Sequence, residues 1–309
     1  MIIDSHVHIV PEMRGRIGSG PVVGLGFGRV SMGGQEIQLT PPFGEQTCFP
    51  TEMLLAHMDW AGVDRAVLLQ GPFYGECNEE VVTAVRRYPD RFLGAAYVDP
   101  WGQSRDTILA LLDRPEFCAA KMECSVATGL CGLHPEADLS DSKLTWLWDT
   151  LVTHGKTLVL DLGEAGTCSY QTRAVADIAR TRPDLRIVIA HLGQPRPGVI
   201  DDPELRSLWD EQIDLGALPN VWLDCAALPA YCVDEEFPFP TVAGLLKDVM
   251  NRIGPEKVLW GTDGPGLLTS ASYPQLLSMA RIHSAHLSPV DQERFLSGNA
   301  LEAFRGQTS

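Results

Sequence analysis

No stretch of this 309-residue chain strings together the ~18 apolar residues that a membrane span requires. Basic residues are scarce: 24 Lys and Arg stand against 40 Asp and Glu, for a net charge of −16. A nucleic-acid-binding face or a dock for an anionic membrane needs the opposite balance, so neither partner is expected. The opening MIIDSHVHIVPE puts charge and histidine where a secretory leader has its basic and apolar regions, so export is not expected either. No two of the eight cysteines have the two-residue spacing of a zinc knuckle or redox pair. They are read as mostly buried thiols in a reducing, cytoplasmic setting. Nor does a glycine-rich phosphate loop open a helix after the first strand, which argues against a dinucleotide-binding fold.

What is present is a repeat of short β-branched runs followed by amphipathic stretches. Strands are predicted at Ile2–His8, Arg65–Gln70, Phe92–Val98, Cys118–Glu123, Thr157–Leu162, Arg186–His191, Val221–Ala226 and Lys257–Thr262. Several are almost continuously apolar, as parallel strands covered on both faces must be. Eight such βα repeats in this length predict an α/β fold, a (β/α)8 TIM barrel. Residues 11–50 interrupt the pattern with nine glycines, several prolines and no sustained period. They are expected to form a long loop insertion after the first strand, lying over the barrel mouth. One domain spanning 1–309 is expected.

The residues able to carry chemistry fall at predicted strand ends. His6 and His8 are two apart, so on a strand both imidazoles point the same way and converge on one spot. Histidine is the commonest ligand for divalent transition metals, and this pair is read as metal-binding. His191 closes the run Arg186–Ala190 and would reach the same mouth. Asp263, in Trp260-Gly-Thr-Asp263-Gly-Pro, either caps a turn or faces the histidine pair as base for an activated water. The nitrogen-rich donor set favours one zinc ion, with manganese as second choice. Lys121, Glu123, Arg196 and Tyr74 line the same rim by position and are read as substrate-binding, Lys121 or Arg196 anchoring a carboxylate. Asp224, in strand seven, is read as supporting. His57, His134, His154, His283 and His286 are given no site role.

Asp4-Ser5-His6-Val7-His8, His191-Leu-Gly, Trp260-Gly-Thr-Asp263-Gly-Pro and the final Gly298-Asn-Ala300, in this order, resemble the amidohydrolase superfamily. The likeness is to the amidohydrolase-related group with sugar lactonases, pyrone-dicarboxylate lactonase and aminocarboxymuconate-semialdehyde-type decarboxylases. It implies a distorted TIM barrel with a mononuclear site at the strand C-termini. His6, His8, His191 and Asp263 take the family's metal and catalytic positions. One position departs: Asp161 stands where decarboxylase-type members carry a strand-five histidine. The sugar lactonases are similar to this chain there, and part of that branch works without metal. Asp161 is therefore expected either to join the metal ligands or to hold a substrate hydroxyl. The expected function is a metal-dependent hydrolase of a small cyclic ester, with Asp263 as base and His191 polarising the carbonyl. A non-oxidative decarboxylase of an aromatic or muconate-type acid is the alternative. The expected partner is a small-molecule substrate, and homo-oligomerisation is left open.

Overall fold

The computed structural model describes residues 1–232 and 234–304; position 233 and residues 305–309 of the expected domain lie outside them. Among the described residues there are twelve strands, in two sheets. Eight are parallel and run in the order β1 (Ile3–Val7), β6 (Arg65–Leu68), β7 (Phe92–Tyr97), β8 (Phe117–Glu123), β9 (Thr157–Asp161), β10 (Ile187–Ile189), β11 (Val221–Asp224) and β12 (Val258–Leu259). Helices such as Asn78–Arg87, Thr172–Thr181 and Pro240–Ile253 return the chain between strands. This is the predicted barrel, nearly closed.

The seam between β12 and β1 has no regular ladder, because β12 is only two residues long. Backbone bonds beyond it join the ends instead: Ser5 N–H to Trp260 O (3.0 Å), Asp263 N–H to His6 O (2.8 Å) and His8 N–H to Gly264 O (2.8 Å). The fully buried Asp4 carboxylate staples the same seam, accepting from Thr262 N (2.9 Å), Thr262 Oγ1 (2.5 Å) and Tyr273 OH (2.5 Å). A Cβ at Gly261 would lie 2.9 Å from His6 Cβ, so this close approach requires glycine. Asn299, from the Gly298-Asn-Ala300 motif, donates to Pro255 O and Val258 O, both at 2.8 Å, and so anchors the start of strand eight.

Ile3, Val67, Ala119, Val159, Val188 and Leu259 plug the barrel interior as one apolar layer. Two residues further along the same strands the lining turns polar: Lys121 follows Ala119, Asp161 follows Val159 and Asp224 follows Trp222. Period-two alternation places these side chains on the same inner face. On β1 that alternation alone would send Val7 inward. The pairing with β6 shifts register between Asp4 and Val7. Val7 then joins the outer core between sheet and helices, and His6 and His8 turn to the interior.

The insertion at residues 11–50, expected as a long loop without sustained period, carries the second sheet. It is an antiparallel meander of β2 (Arg14–Ile17), β3 (Gly20–Gly26), β4 (Arg29–Met32) and β5 (Gln35–Gln38). Its strands are short and interrupted by glycine, so period two never persists long enough to read. The turns explain the glycines: Gly33 and Gly34 have φ of 58° and 86°, the left-handed pair a tight hairpin requires. Val22, Val30 and Ile17 form its buried face. Arg16 N–H donates to Pro72 O (2.8 Å), joining this sheet to the loop after β6.

Candidate active site

Three imidazoles meet at the C-terminal end of the barrel, each with one nitrogen fixed from behind. His6 Nδ1 lies 3.0 Å from Asp224 Oδ2, His8 Nδ1 is 2.5 Å from Leu69 O, and His191 Nδ1 is 3.2 Å from Ala226 O. A carbonyl or carboxylate at Nδ1 holds the proton there, which leaves Nε2 to face the cavity. His6 and His191 stack with centroids 4.6 Å apart. Asp263 Oδ1 lies 3.0 Å from His8 Nε2 and 3.7 Å from His6 Nε2. Asp161 Oδ2 lies 3.3 Å from His191 Nε2. The structure thus brings together His6, His8, Asp161, His191 and Asp263.

Backbone strain concentrates here. His191, Leu192, Gln194 and Asp263 all sit at positive φ, between 46° and 61°, where side-chain-bearing residues are disfavoured. The surroundings over-determine the turn: Trp209 Nε1 donates to Leu192 O (2.7 Å), and His191 N–H donates to Asp224 Oδ1 (3.0 Å). Asp224 therefore orients one histidine through its ring and another through its backbone.

Charge is distributed unevenly. Burial raises the Asp263 carboxyl, but the His8 hydrogen bond and the charges of His191, His8 and His6 outweigh it and hold it at about 2. Burial opposes a charge on His191, yet Asp161, with Asp263 and Asp224, raises it to about 10. His191 and Asp161 form a buried ion pair. Burial, reinforced by Lys121, lowers His6, and burial lowers His8 despite Asp263. Glu123 goes the other way: burial, with the nearby Asp161 charge, pushes it up to about 8, and its Oε1 has no hydrogen-bond partner.

The donor chemistry fits a divalent cation. Protonated at Nε2, His8 donates to Asp263; with its only proton at Nδ1 it would present a lone pair to an ionised Asp263 oxygen 3.0 Å away. Two lone pairs at that distance need a shared proton or a cation between them. His6, His191 and Asp263 each offer a ligand atom within 4.8 Å of the others. Loss of the His191 proton would be part of recruiting that residue.

The remaining rim residues divide. The Tyr74 ring lies tilted against His8 with centroids 4.6 Å apart, and burial raises its phenol far above the usual range, so it stays a donor. Lys121 is turned inward: its Nζ lies 3.1 Å from His6 Nε2 and 3.6 Å from Glu123 Oε2. Arg196 stands on the cavity wall, its guanidinium 5.3 Å over the Tyr231 ring. These groups line a cavity of about 490 Å³, to which the inserted sheet and the residue after it contribute Ile37, Gln38 and Leu39. Gln194, whose Nε2 donates to Asp161 Oδ1 (3.1 Å), and Tyr231 were not anticipated as site residues. The signal for Gln194 was its place in His191-Leu-Gly-Gln194. Tyr231 lies beyond strand seven and carried none. His57 packs instead among Phe43, Phe49 and Trp60, and His134 pairs with Asp99 at 2.9 Å in a separate cleft.

A parallel eight-stranded barrel with histidines and carboxylates converging at its strand C-termini is an arrangement able to hold a metal ion and activate water. The chain belongs to the amidohydrolase family, whose model matches residues 3–306. A 4-sulfomuconolactone hydrolase from Hydrogenophaga intermedia is 26% identical over 223 residues, 70% of this chain and 65% of the relative's length. An amidohydrolase from Burkholderia multivorans, solved with bound zinc, superposes with a TM-score of 0.71 at 14% identity, covering 99% of each chain. A probable 2-pyrone-4,6-dicarboxylic acid hydrolase from Acinetobacter baumannii, with citric acid bound, gives 0.67 at 15% identity over 98% of each.

Proposed function

We propose that this chain hydrolyses a small lactone at the barrel mouth. The observation that carries the reading is Asp263: an ionised carboxylate braced by His8, beside His6, on the floor of a cavity sized for a small molecule. The name of the 26%-identical relative, a lactone hydrolase, supports it. The inserted sheet of residues 11–50 covers the mouth in this reading, and the chain works as one domain in the cytoplasm.

His6, His8 and Asp263 would hold the metal, with His191 and Asp161 adjacent, and zinc suits the nitrogen-rich donors. When bound, such an ion supplies Lewis acidity that polarises a carbonyl and eases deprotonation of water. The chain's own groups do the rest. Asp263 accepts the proton of the attacking water and returns it to the leaving ring oxygen. At about 2 it is ionised at every neutral pH, and it becomes a better base as the neighbouring imidazolium charge falls. His191 turns its Nε2 towards the carbonyl oxygen, and Asp224 keeps that ring and the His6 ring in register. Tyr74 and protonated Glu123 donate hydrogen bonds to substrate oxygens. No observation favours the decarboxylase alternative, and the extra carboxylate at Asp161 opposes binding of a substrate carboxylate at the same centre. The test is a panel of lactones and aromatic acids followed in parallel for acid release and carbon dioxide. Acid release from a lactone is expected; carbon dioxide release faster than any ester hydrolysis overturns the reading.

A further inference from the structure

Lys121 is a buried charge at the barrel mouth that the proposed reaction leaves without a task. Its strand, β8, is buried along its whole length, and alternation from Ala119 turns the side chain into the barrel, where it is 1% exposed. An ammonium has three N–H donors and no acceptor. Its 3.1 Å approach to His6 Nε2 can therefore only be donation into that nitrogen's lone pair. The other ring nitrogen keeps its proton against Asp224 Oδ2, 3.0 Å away. Burial, and after it the Lys121 charge, holds His6 well below the usual imidazole range, so the ring is neutral and offers one lone pair.

That lone pair is also the one through which His6 would hold a metal ion together with His191 and Asp263. One lone pair cannot serve both. Lys121 has to give up its bond to Nε2 before a dication binds there, and at such range the two positive charges repel. Burial closes the usual retreat of a lysine head to water. The partner left to it is Glu123, whose Oε2 stands 3.6 Å from Nζ and whose Oε1 has no hydrogen-bond partner. From this competition we infer that Lys121 is a displaceable plug in the metal site. It holds the His6 ring in its ligand tautomer until an ion arrives, sets the ion's affinity by the cost of breaking the bond to Nε2, and then passes to Glu123. The inference rests on the metal-dependent hydrolase reading and adds to it what controls loading of the centre. Lys121 acts through His6 and is a positioning residue.

The test is zinc affinity. The full chain is stripped with a chelator, and zinc is titrated back against a competing chelator of known strength. Lys121→Met keeps the aliphatic stem and loses both donor and charge. Arg196→Gln removes one positive charge from the wall of the same cavity without touching His6, and serves as the control for net charge. Lys121→Met should bind zinc about 30-fold more tightly than the wild type, the weight of one charge-assisted hydrogen bond. Arg196→Gln should tighten it by no more than about threefold, because that half-exposed charge is screened by solvent. Lys121→Gln, which keeps a neutral donor, should fall between wild type and Lys121→Met, and it carries the test if the Met variant does not fold. Equal or weaker zinc binding in the Lys121 variants overturns the inference and leaves the metal centre in place. So does a gain in Arg196→Gln as large as that in Lys121→Met. The expected order of affinities with no lactone hydrolysed leaves the inference standing and removes the hydrolase reading. No zinc bound by any of the four proteins overturns the inference and the metal-dependent reading together.

Discussion

Glu123 gives the sharpest link between this site and the stability of the barrel. It ends β8, is buried, leaves Oε1 unpartnered, and has Lys121 Nζ at 3.6 Å as its nearest cation. Burial, with Asp161 adding to it, raises its carboxyl from 4.5 to about 8. A carboxyl raised on folding binds its proton more tightly in the folded chain than in the unfolded one. Its contribution to stability is therefore fully present below pH 4.5, declines as pH rises, and is gone once pH passes about 8. At about 1.4 kcal/mol per pH unit across that window, the loss is bounded at about 5 kcal/mol. Glu123→Gln keeps the shape and a neutral donor but cannot ionise. Urea unfolding of both proteins at pH 5, 6, 7, 8 and 9 should show the wild type losing stability relative to the variant across that window. At pH 9 the variant should be the more stable by about 2–5 kcal/mol relative to its standing at pH 5. Parallel curves for the two proteins would refute the argument, because they would mean that Glu123 is ionised at pH 5 already.

Asp263→Asn should lower lactone turnover at least about a hundredfold, the lower range for loss of a general base, with an unchanged circular dichroism spectrum. His6→Ala combined with His8→Ala should abolish near-stoichiometric divalent metal, read by elemental analysis of the purified protein; metal retained in the double variant refutes their role as ligands. Asp161→Ala removes the partner that holds the His191 imidazolium, so the proton-coupled chemical shift of His191 should titrate well below about 10, and lactone turnover should drop. Gly15→Ala would bring a Cβ to 1.7 Å from Phe73 O, so it should undock the inserted sheet from the loop after β6 and accelerate proteolysis between residues 14 and 38.

The barrel was legible because its signal is repeated eight times and each repeat is redundant. Short, β-branched apolar runs such as Ile187–Ala190 fit strands covered on both faces, and all eight predicted strands are present. Their ends were less legible. Strand eight was expected to reach Thr262, but its ladder stops at Leu259. From there the chain is held by Asp4 and by backbone bonds to β1, contacts between residues far apart in sequence. The meander of residues 14–38 was missed for a different reason. Four strands of four to seven residues, joined by left-handed glycines, carry their information in turn geometry rather than in period.

The site was legible in its residue types and less so in how those residues reach one another. His6 and His8 were placed on one face by spacing alone, and so they are. Alternation counted from Ile3, however, would have buried Ser5 and Val7 in the barrel and turned both histidines towards the helices. Only the register shift in β1 reverses this, and nothing in Asp4-Ser5-His6 announces it. His191 poses the same problem on strand six. Val188 points inward, so regular alternation would bring Ala190 to the mouth rather than His191. The turn to φ 61° at His191, fixed by Asp224 and by the Trp209 bond to Leu192, presents the imidazole instead. In both strands the alternation that builds the core is broken one step before the catalytic end. At His191 the positive φ costs of order 1–3 kcal/mol, and it persists because buried hydrogen bonds hold it there. Lys121 follows the opposite logic. It obeys alternation, points inward, and for that reason lies against His6 while still lining the cavity. Arg196, by contrast, follows the strained turn, leaves the strand altogether and stands on the cavity wall.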